Sequence, residues 1–253
     1  MILCPLCHDL ATKRGLPLDE QRELKQNPYN VREGIASGRL VMNQPYCAVR
    51  IGGSLIVGED ASLSIGGETL FRIGLVRPSR TLTVSATLYD EAGTCLAIIE
   101  ENEWVSGDPL PWDIESDHQQ LAIRQRRGQI ALEVDARKEP VEVRAELWRD
   151  KHRVSLTRSC IALGDREAAV KFIDLGLVAF SIDLDPATGD ATMIRDPRLG
   201  EGIVVPSGGG DAQLLRSCLA FWEGLVATKA REIGRNGLCW CESGLKFKRC
   251  HGA

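Results

Sequence analysis

Between Tyr46 and about Leu163, apolar residues recur at every second position. That spacing puts them on one face of an extended chain and on no single face of a helix. The alternation runs through Leu63-Ser64-Ile65, Thr81-Leu82-Thr83-Val84-Ser85-Ala86-Thr87-Leu88-Tyr89, Gln129-Ile130-Ala131-Leu132-Glu133-Val134-Asp135 and Val141-Glu142-Val143-Arg144-Ala145-Glu146-Leu147. Turn-forming runs separate these stretches: Gly66-Gly67, Pro78-Ser79, Asp90-Glu91-Ala92-Gly93 and Lys138-Glu139-Pro140. One apolar and one wet face is the pattern of a sandwich or a β-solenoid. Ile51-Gly52-Gly53 returns as Ile65-Gly66-Gly67, but stacked repeats need about three copies or more, so these read as glycine turns. Aromatics at 5% beside 25 glycines suit thin β structure, with Trp104, Trp112 and Trp148 filling its core.

The flanks read differently. Residues 1–45 hold good helix formers from Leu18 to Lys25, a stop at Asn27-Pro28 and a possible cap at Asn30. More strand-like sequence fills 171–205, including Val178-Ala179-Phe180-Ser181-Ile182. Pro206-Ser207-Gly208-Gly209-Gly210 is linker-like, and Asp211 is a plausible N-cap. Beyond it Leu214, Leu215, Cys218, Leu219, Trp222 and Leu225 share one side of a helix running to about Ile233. The expectation is an α+β chain: a short helical N-terminus over 1–45, a large antiparallel β domain over 46–205, a linker and helix over 206–232, and a compact tail over 233–253.

A net charge of −4 and a pI near 5.7 argue against phosphate binding by the surface as a whole, although a local basic patch is compatible with them. No apolar run reaches the roughly 18 residues a membrane helix needs. Met1-Ile2-Leu3-Cys4-Pro5 has no basic segment before an apolar stretch, so no secretory signal is expected and the cytoplasm is the expected compartment. Five of the nine cysteines crowd the two ends: Cys4 and Cys7, then Cys239, Cys241 and Cys250. In a reducing compartment clustered thiols serve as metal ligands, while isolated ones such as Cys47, Cys95, Cys160 and Cys218 are small buried hydrophobes.

The tail runs Gly234-Arg235-Asn236-Gly237-Leu238-Cys239-Trp240-Cys241-Glu242-Ser243-Gly244-Leu245-Lys246-Phe247-Lys248-Arg249-Cys250-His251. Its C-x-C-x8-C-H spacing offers three thiolates and an imidazole, the donor set of a closed tetrahedral zinc site. Ser243-Gly244 allows the chain to turn and bring the second pair back to the first. The stretch resembles the SEC-C motif, the zinc-binding tail of the SecA translocation ATPase and of other bacterial proteins. Gly234, Arg235, Asn236, all four ligands, Ser243, Gly244, Lys246, Phe247 and Lys248 match its pattern. Gly237 stands for the usual Asp, Glu242 for the usual Gly and Leu245 for the usual Lys. Glu242 costs that turn some freedom of φ. The resemblance implies a zinc ion on Cys239, Cys241, Cys250 and His251, and an adhesion module that binds protein or ribosomal partners.

At the other end, Leu3-Cys4-Pro5-Leu6-Cys7-His8 resembles the final portion of an HNH nuclease motif. That resemblance implies a second metal site on Cys4, Cys7 and His8. The family's catalytic β-hairpin, with its general-base histidine, precedes the half-motif, and it is not in this sequence. Two expectations follow: a non-catalytic zinc-binding adaptor, or the C-terminal portion of an HNH endonuclease lacking that hairpin. The acidic run Asp113-Ile114-Glu115-Ser116-Asp117-His118 reads as a solvated loop, and Arg124-Gln125-Arg126-Arg127-Gly128 as a surface turn. Loss of a general base alone costs about 10²–10⁴-fold in hydrolysis. With Mg²⁺, Mn²⁺, Ni²⁺ or Zn²⁺ this chain is therefore expected to leave supercoiled plasmid DNA intact on agarose gels. Nicking that vanishes in His8→Ala would overturn that expectation.

Overall fold

Two glycine pairs set the early bends of the chain. Gly52-Gly53 and Gly66-Gly67 all hold positive φ, at 57°, 93°, 58° and 82°. This two-residue hairpin geometry follows the twist of antiparallel strands and costs glycine least. The computed structural model describes residues 40–252 apart from 42–43, 45, 78, 80, 108–112, 117–118, 127, 165, 171–174 and 207–209, together with 17–19 and 22. After β1 (Leu40–Val41), the first glycine hairpin joins β2 (Cys47–Ile51) to β3 (Ser54–Gly58), and the second joins β4 (Asp60–Ile65) to β5 (Glu68–Val76). A meander continues through β6 (Thr81–Tyr89), β7 (Cys95–Glu100) and β8 (Glu103–Gly107). A second series comprises β9 (Asp113–Ser116), β10 (Gln120–Arg126), β11 (Gln129–Asp135), β12 (Val141–Arg149), β13 (His152–Leu156), β14 (Ile161–Leu163) and β15 (Arg166–Val170). Then come β16 (Leu175–Val178), β17 (Phe180–Leu184), β18 (Ala191–Arg195), β19 (Ile203–Pro206) and the helix α1 (Asp211–Ile233).

Among the described residues these strands form two mixed sheets. One has eight strands in the order β18-β17-β4-β5-β6-β7-β8, with β1 beside β6. The other has eleven, in the order β15-β14-β13-β12-β2-β3-β16-β19, with β11, β10 and β9 extending from β12. Val49, Ile51, Ile56, Leu132 and Val143 of the second sheet share one buried core with Leu63, Phe71, Ile73 and Val84 of the first. The alternation read from the sequence is what lines that core: Leu82, Val84, Ala86 and Leu88 are all buried along β6, with half-buried residues between them. Trp104 is buried and Trp148 half-buried.

The expected α+β architecture with an antiparallel β domain needs correction. The described structure is mostly β with one long helix, and three strand pairs run parallel: β2 with β12, β3 with β16, and β4 with β17. A period of two is the same in parallel and antiparallel strands, so pairing between residues far apart in the chain leaves no mark on it. The helical segment expected over 1–45 lies outside the described residues except at isolated positions, and Leu40–Val41 at its end is a strand.

Parallel pairing also creates the feature that positions the tail. β3 continues into β4 through Glu59, and β16 into β17 through Ala179, so two paired strands bend together from one sheet into the other. The bend keeps its backbone groups satisfied. The Ala179 N–H donates to the Val57 carbonyl at 2.9 Å, Leu75 N–H to the Glu59 carbonyl at 3.1 Å, and Asp196 N–H to the Ala179 carbonyl at 2.9 Å.

The helix α1 begins at a Gly210 cap, one residue before the Asp211 read from the sequence. Asp211 sits in the first turn, where its charge suits the helix dipole, and its carboxylate lies 2.9 Å from the Arg50 guanidinium. Leu214, Cys218, Trp222 and Leu225 are buried against Ala48, Leu55, Val57, Val178 and Val205 on the outer face of the second sheet. Every residue of β2 and β3 is therefore buried. Gly176 on β16 permits the approach, since a Cβ there would lie 2.2 Å from Cys218 Sγ. Gly176→Ala is expected to lower stability by about 1–3 kcal/mol through overpacking, read as a shifted urea midpoint at constant slope. Adding Cys218→Ala should recover most of that loss.

Candidate metal centre

The tail begins where α1 ends. Gly234 takes φ 69°, and its N–H donates to the Ala230 carbonyl at 3.0 Å, closing the helix. The chain then forms a small hairpin. Leu238 and Lys246 bridge antiparallel, Cys239 N–H donates to the Leu245 carbonyl at 2.8 Å, and Phe247 N–H to the Gly237 carbonyl at 2.9 Å. The turn between the two arms holds Gly244 at φ 70° and Glu242 at φ 62°. A single 3₁₀ turn, Phe247–Arg249, carries Cys250 and His251 back over the hairpin. Phe247, Cys239 and Cys250 are buried, packed against Val226, Ala230 and Ile233 on the last turns of α1.

This path brings the four donors of Cys239, Cys241, Cys250 and His251 within 4.8 Å of one another. Cys239 Sγ lies 3.1 Å from His251 Nδ1, Cys250 Sγ 3.4 Å from the same nitrogen, and Cys241 Sγ 3.4 Å from Cys250 Sγ. A tetrahedral ion with bonds of about 2.0–2.3 Å needs donors spaced about 3.3–3.8 Å apart. The cluster is therefore close enough to bind a metal ion, and it brings together all the tail residues singled out by spacing.

The far side of the imidazole is equally ordered. His251 Nε2 lies 2.6 Å from Glu59 Oε1. A carboxylate can only accept, so Nε2 carries a proton, and Nδ1 is the nitrogen that faces the thiols. Arg77 grips the same carboxylate from behind, with Nε 3.1 Å from Oε2 and a terminal nitrogen 2.8 Å from Oε1. The three side chains are 3%, 6% and 3% exposed for Arg77, Glu59 and His251. Trp240 stacks at a tilt on the imidazole, 4.5 Å between centroids, and Trp222 meets Trp240 edge-on at 5.9 Å. Phe247 lies parallel on the imidazole at 6.3 Å.

Electrostatics follow from this crowding. Burial pushes the Glu59 carboxyl up, but hydrogen bonds from His251 and Arg77 outweigh it and hold the group below the usual carboxylate value. Burial also disfavours a Cys241 thiolate, yet bonds with His251 and Ser243 bring that thiol down to about 6. Burial, with Cys241 and Cys239 close by, pushes Cys250 up to about 12. Burial lowers His251 while Cys241 and Glu59 raise it further, to about 9. Without a cation the pocket tolerates one thiolate and resists the next; a bound cation removes that repulsion, so metal uptake displaces protons.

The other residues singled out from the sequence do not join this cluster. Cys4, Cys7 and His8 lie outside the described residues. Asp113 and Glu115 are held by Arg124 across β9 and β10. Cys47 and Cys218 are buried thiols whose ionisation burial opposes, while Cys95 is exposed, against the buried role expected of it. Glu59 and Arg77 went unnoticed, because a lone acid 192 positions from its histidine carries no local signal.

Three thiols and an imidazole around one point make a knuckle whose donors lie close enough to bind a metal ion, two of them buried and two half-buried. A family model for the SEC-C motif matches residues 235–253, and the chain carries that motif at its described C-terminal end. No curated protein matches the chain, and no solved structure does. Glu242 departs from the motif's usual glycine at a left-handed position, a conformation that costs a residue with a Cβ about 1 kcal/mol. Glu242→Gly is therefore expected to raise the thermal midpoint of the tail, followed by Trp240 fluorescence. A lowered midpoint would show that the Glu242 side chain contributes more than its backbone costs.

Proposed function

We propose that this protein is a non-catalytic zinc-binding interaction protein whose knuckle recruits a protein or ribosomal partner in the cytoplasm. The observation that carries the reading is the gathering of Cys239, Cys241, Cys250 and His251 around one point. Three soft thiolates and an imidazole suit zinc above the hard cations, and four protein donors leave no open position for water or substrate. An ion held there does structural work: it ties the arms of a hairpin too short to hold itself. Seven free cysteines among the described residues fit a reducing compartment.

The surface so formed has a chemistry that favours binding. Leu238 is 70% exposed at the hairpin, and Arg235, Lys246 and Arg249 beside it in the knuckle are exposed as well. An exposed apolar anchor on a tail that also exposes cations matches a partner segment carrying an apolar residue among acids. The overall charge of −4 gives a nucleic acid no general attraction.

Purified protein is expected to carry about one zinc per chain by elemental analysis, and Cys239→Ser with Cys241→Ser should remove it. Zinc at the wild-type level in that double variant would refute the ligand assignment. For the binding role, Leu238→Asp should keep its zinc and weaken co-sedimentation with ribosomes, or capture of a protein partner, by tenfold or more. Equal recovery by wild type, Leu238→Asp and zinc-free protein would refute the knuckle as the recruiting surface.

A further inference from the structure

The four tail donors do not complete the centre by themselves. Their imidazole is held by a carboxylate from the corner where the chain passes between the two sheets, and that carboxylate is held by a guanidinium from the end of β5 and the turn after it. We infer that Glu59, backed by Arg77, is the outer part of the metal centre, a positioning residue that aims His251 Nδ1 at the ion and so couples metal affinity to the β sandwich. This inference rests on the zinc reading above.

The geometry carries the argument. A ligating imidazole must present one nitrogen and surrender the other, and a carboxylate accepting the second N–H fixes both the tautomer and the ring plane. His251 meets that requirement, with Nδ1 at 3.1 and 3.4 Å from two thiols and Nε2 at 2.6 Å from Glu59. Arg77 keeps the carboxylate from turning away by bonding both of its oxygens. The rings of Trp240 and Phe247 hold the remaining rotation of the imidazole. Glu59 itself has little freedom, because its backbone lies in the bend between β3 and β4 and its carbonyl accepts from Leu75. The carboxylate is thus placed by the fold before any ion arrives.

Linkage makes the coupling mutual. If the corner helps the tail hold its ion, the ion helps hold the tail on the corner by the same factor. The knuckle, whose Trp240 rests against Trp222 and whose Phe247 packs on the end of α1, is then held on the sandwich more tightly with its ion than without it, by that same factor.

The test uses the full chain, with zinc competed away by a chromophoric chelator. Glu59→Gln is expected to weaken zinc binding about 10–100-fold, while the cobalt-substituted form keeps a four-coordinate absorption spectrum because all four ligands remain. Arg198→Met, which breaks the neighbouring corner pairs with Asp60 and Asp196 without touching His251, should leave zinc affinity unchanged. Unaltered affinity in Glu59→Gln would overturn the inference. Equal weakening in both variants would overturn it too, since corner integrity would then be the cause. If Glu59→Gln loses its strand signature in circular dichroism, Glu59→Asp is read in its place, because it keeps the charge beside Arg77 and draws the acceptor back from Nε2. Wild-type protein that takes up no zinc would sink the metal reading itself, an outcome distinct from wild type that binds zinc regardless of Glu59.

Discussion

The buried chain Arg77–Glu59–His251 ties the tail to the sandwich that the described strands form. Three charged or polar groups out of water are tolerable only because each satisfies the next, and removing one partner leaves an uncompensated group whose cost runs to several kcal/mol. That dependence gives the tail one seat. Apolar contacts between Phe247 and the last turns of α1 add adhesion, but hydrophobic packing alone would tolerate some sliding. The ion pair and its hydrogen bonds do not, because they are directional.

The seat exists because of how the sheets are joined. A corner made by one strand would leave carbonyls and amides unpaired at the bend; here two strands turn together, and Ala179 and Glu59 keep bonding through it. The parallel pairs that allow this require long connections, which the chain makes by running through strands of both sheets between partners. The helix α1 then covers the outer face of β2, β3 and β16, and its far end stands beside the corner. Fold and site are consequently one construction: the strand that enters the core also delivers the carboxylate.

Much of this was legible locally. The alternation along β6 and β12 marked strands and their buried faces, and glycine pairs marked the hairpins, because side-chain direction and positive φ are local properties. The apolar stripe of α1 marked its buried side and its end at Ile233. Reading β2 and β3 as strands with one wet face failed, since the helix that covers that second face lies more than 150 positions away. The α+β assignment failed for a related reason: it took the β domain as antiparallel, and the long-range pairing that builds two mixed sheets carries no local signature.

The sequence by itself picked out the four donors that gather at one point, since their spacing and the turn between them are local features. It also determined which stretches extend and where the long helix runs. Only the tertiary structure decided which strands pair in parallel, that two of them bend together at Glu59 and Ala179, and that Glu59 and Arg77 stand behind His251. Most of those contacts join residues far apart in the chain, and a contact of that range is set by packing and charge satisfaction in three dimensions.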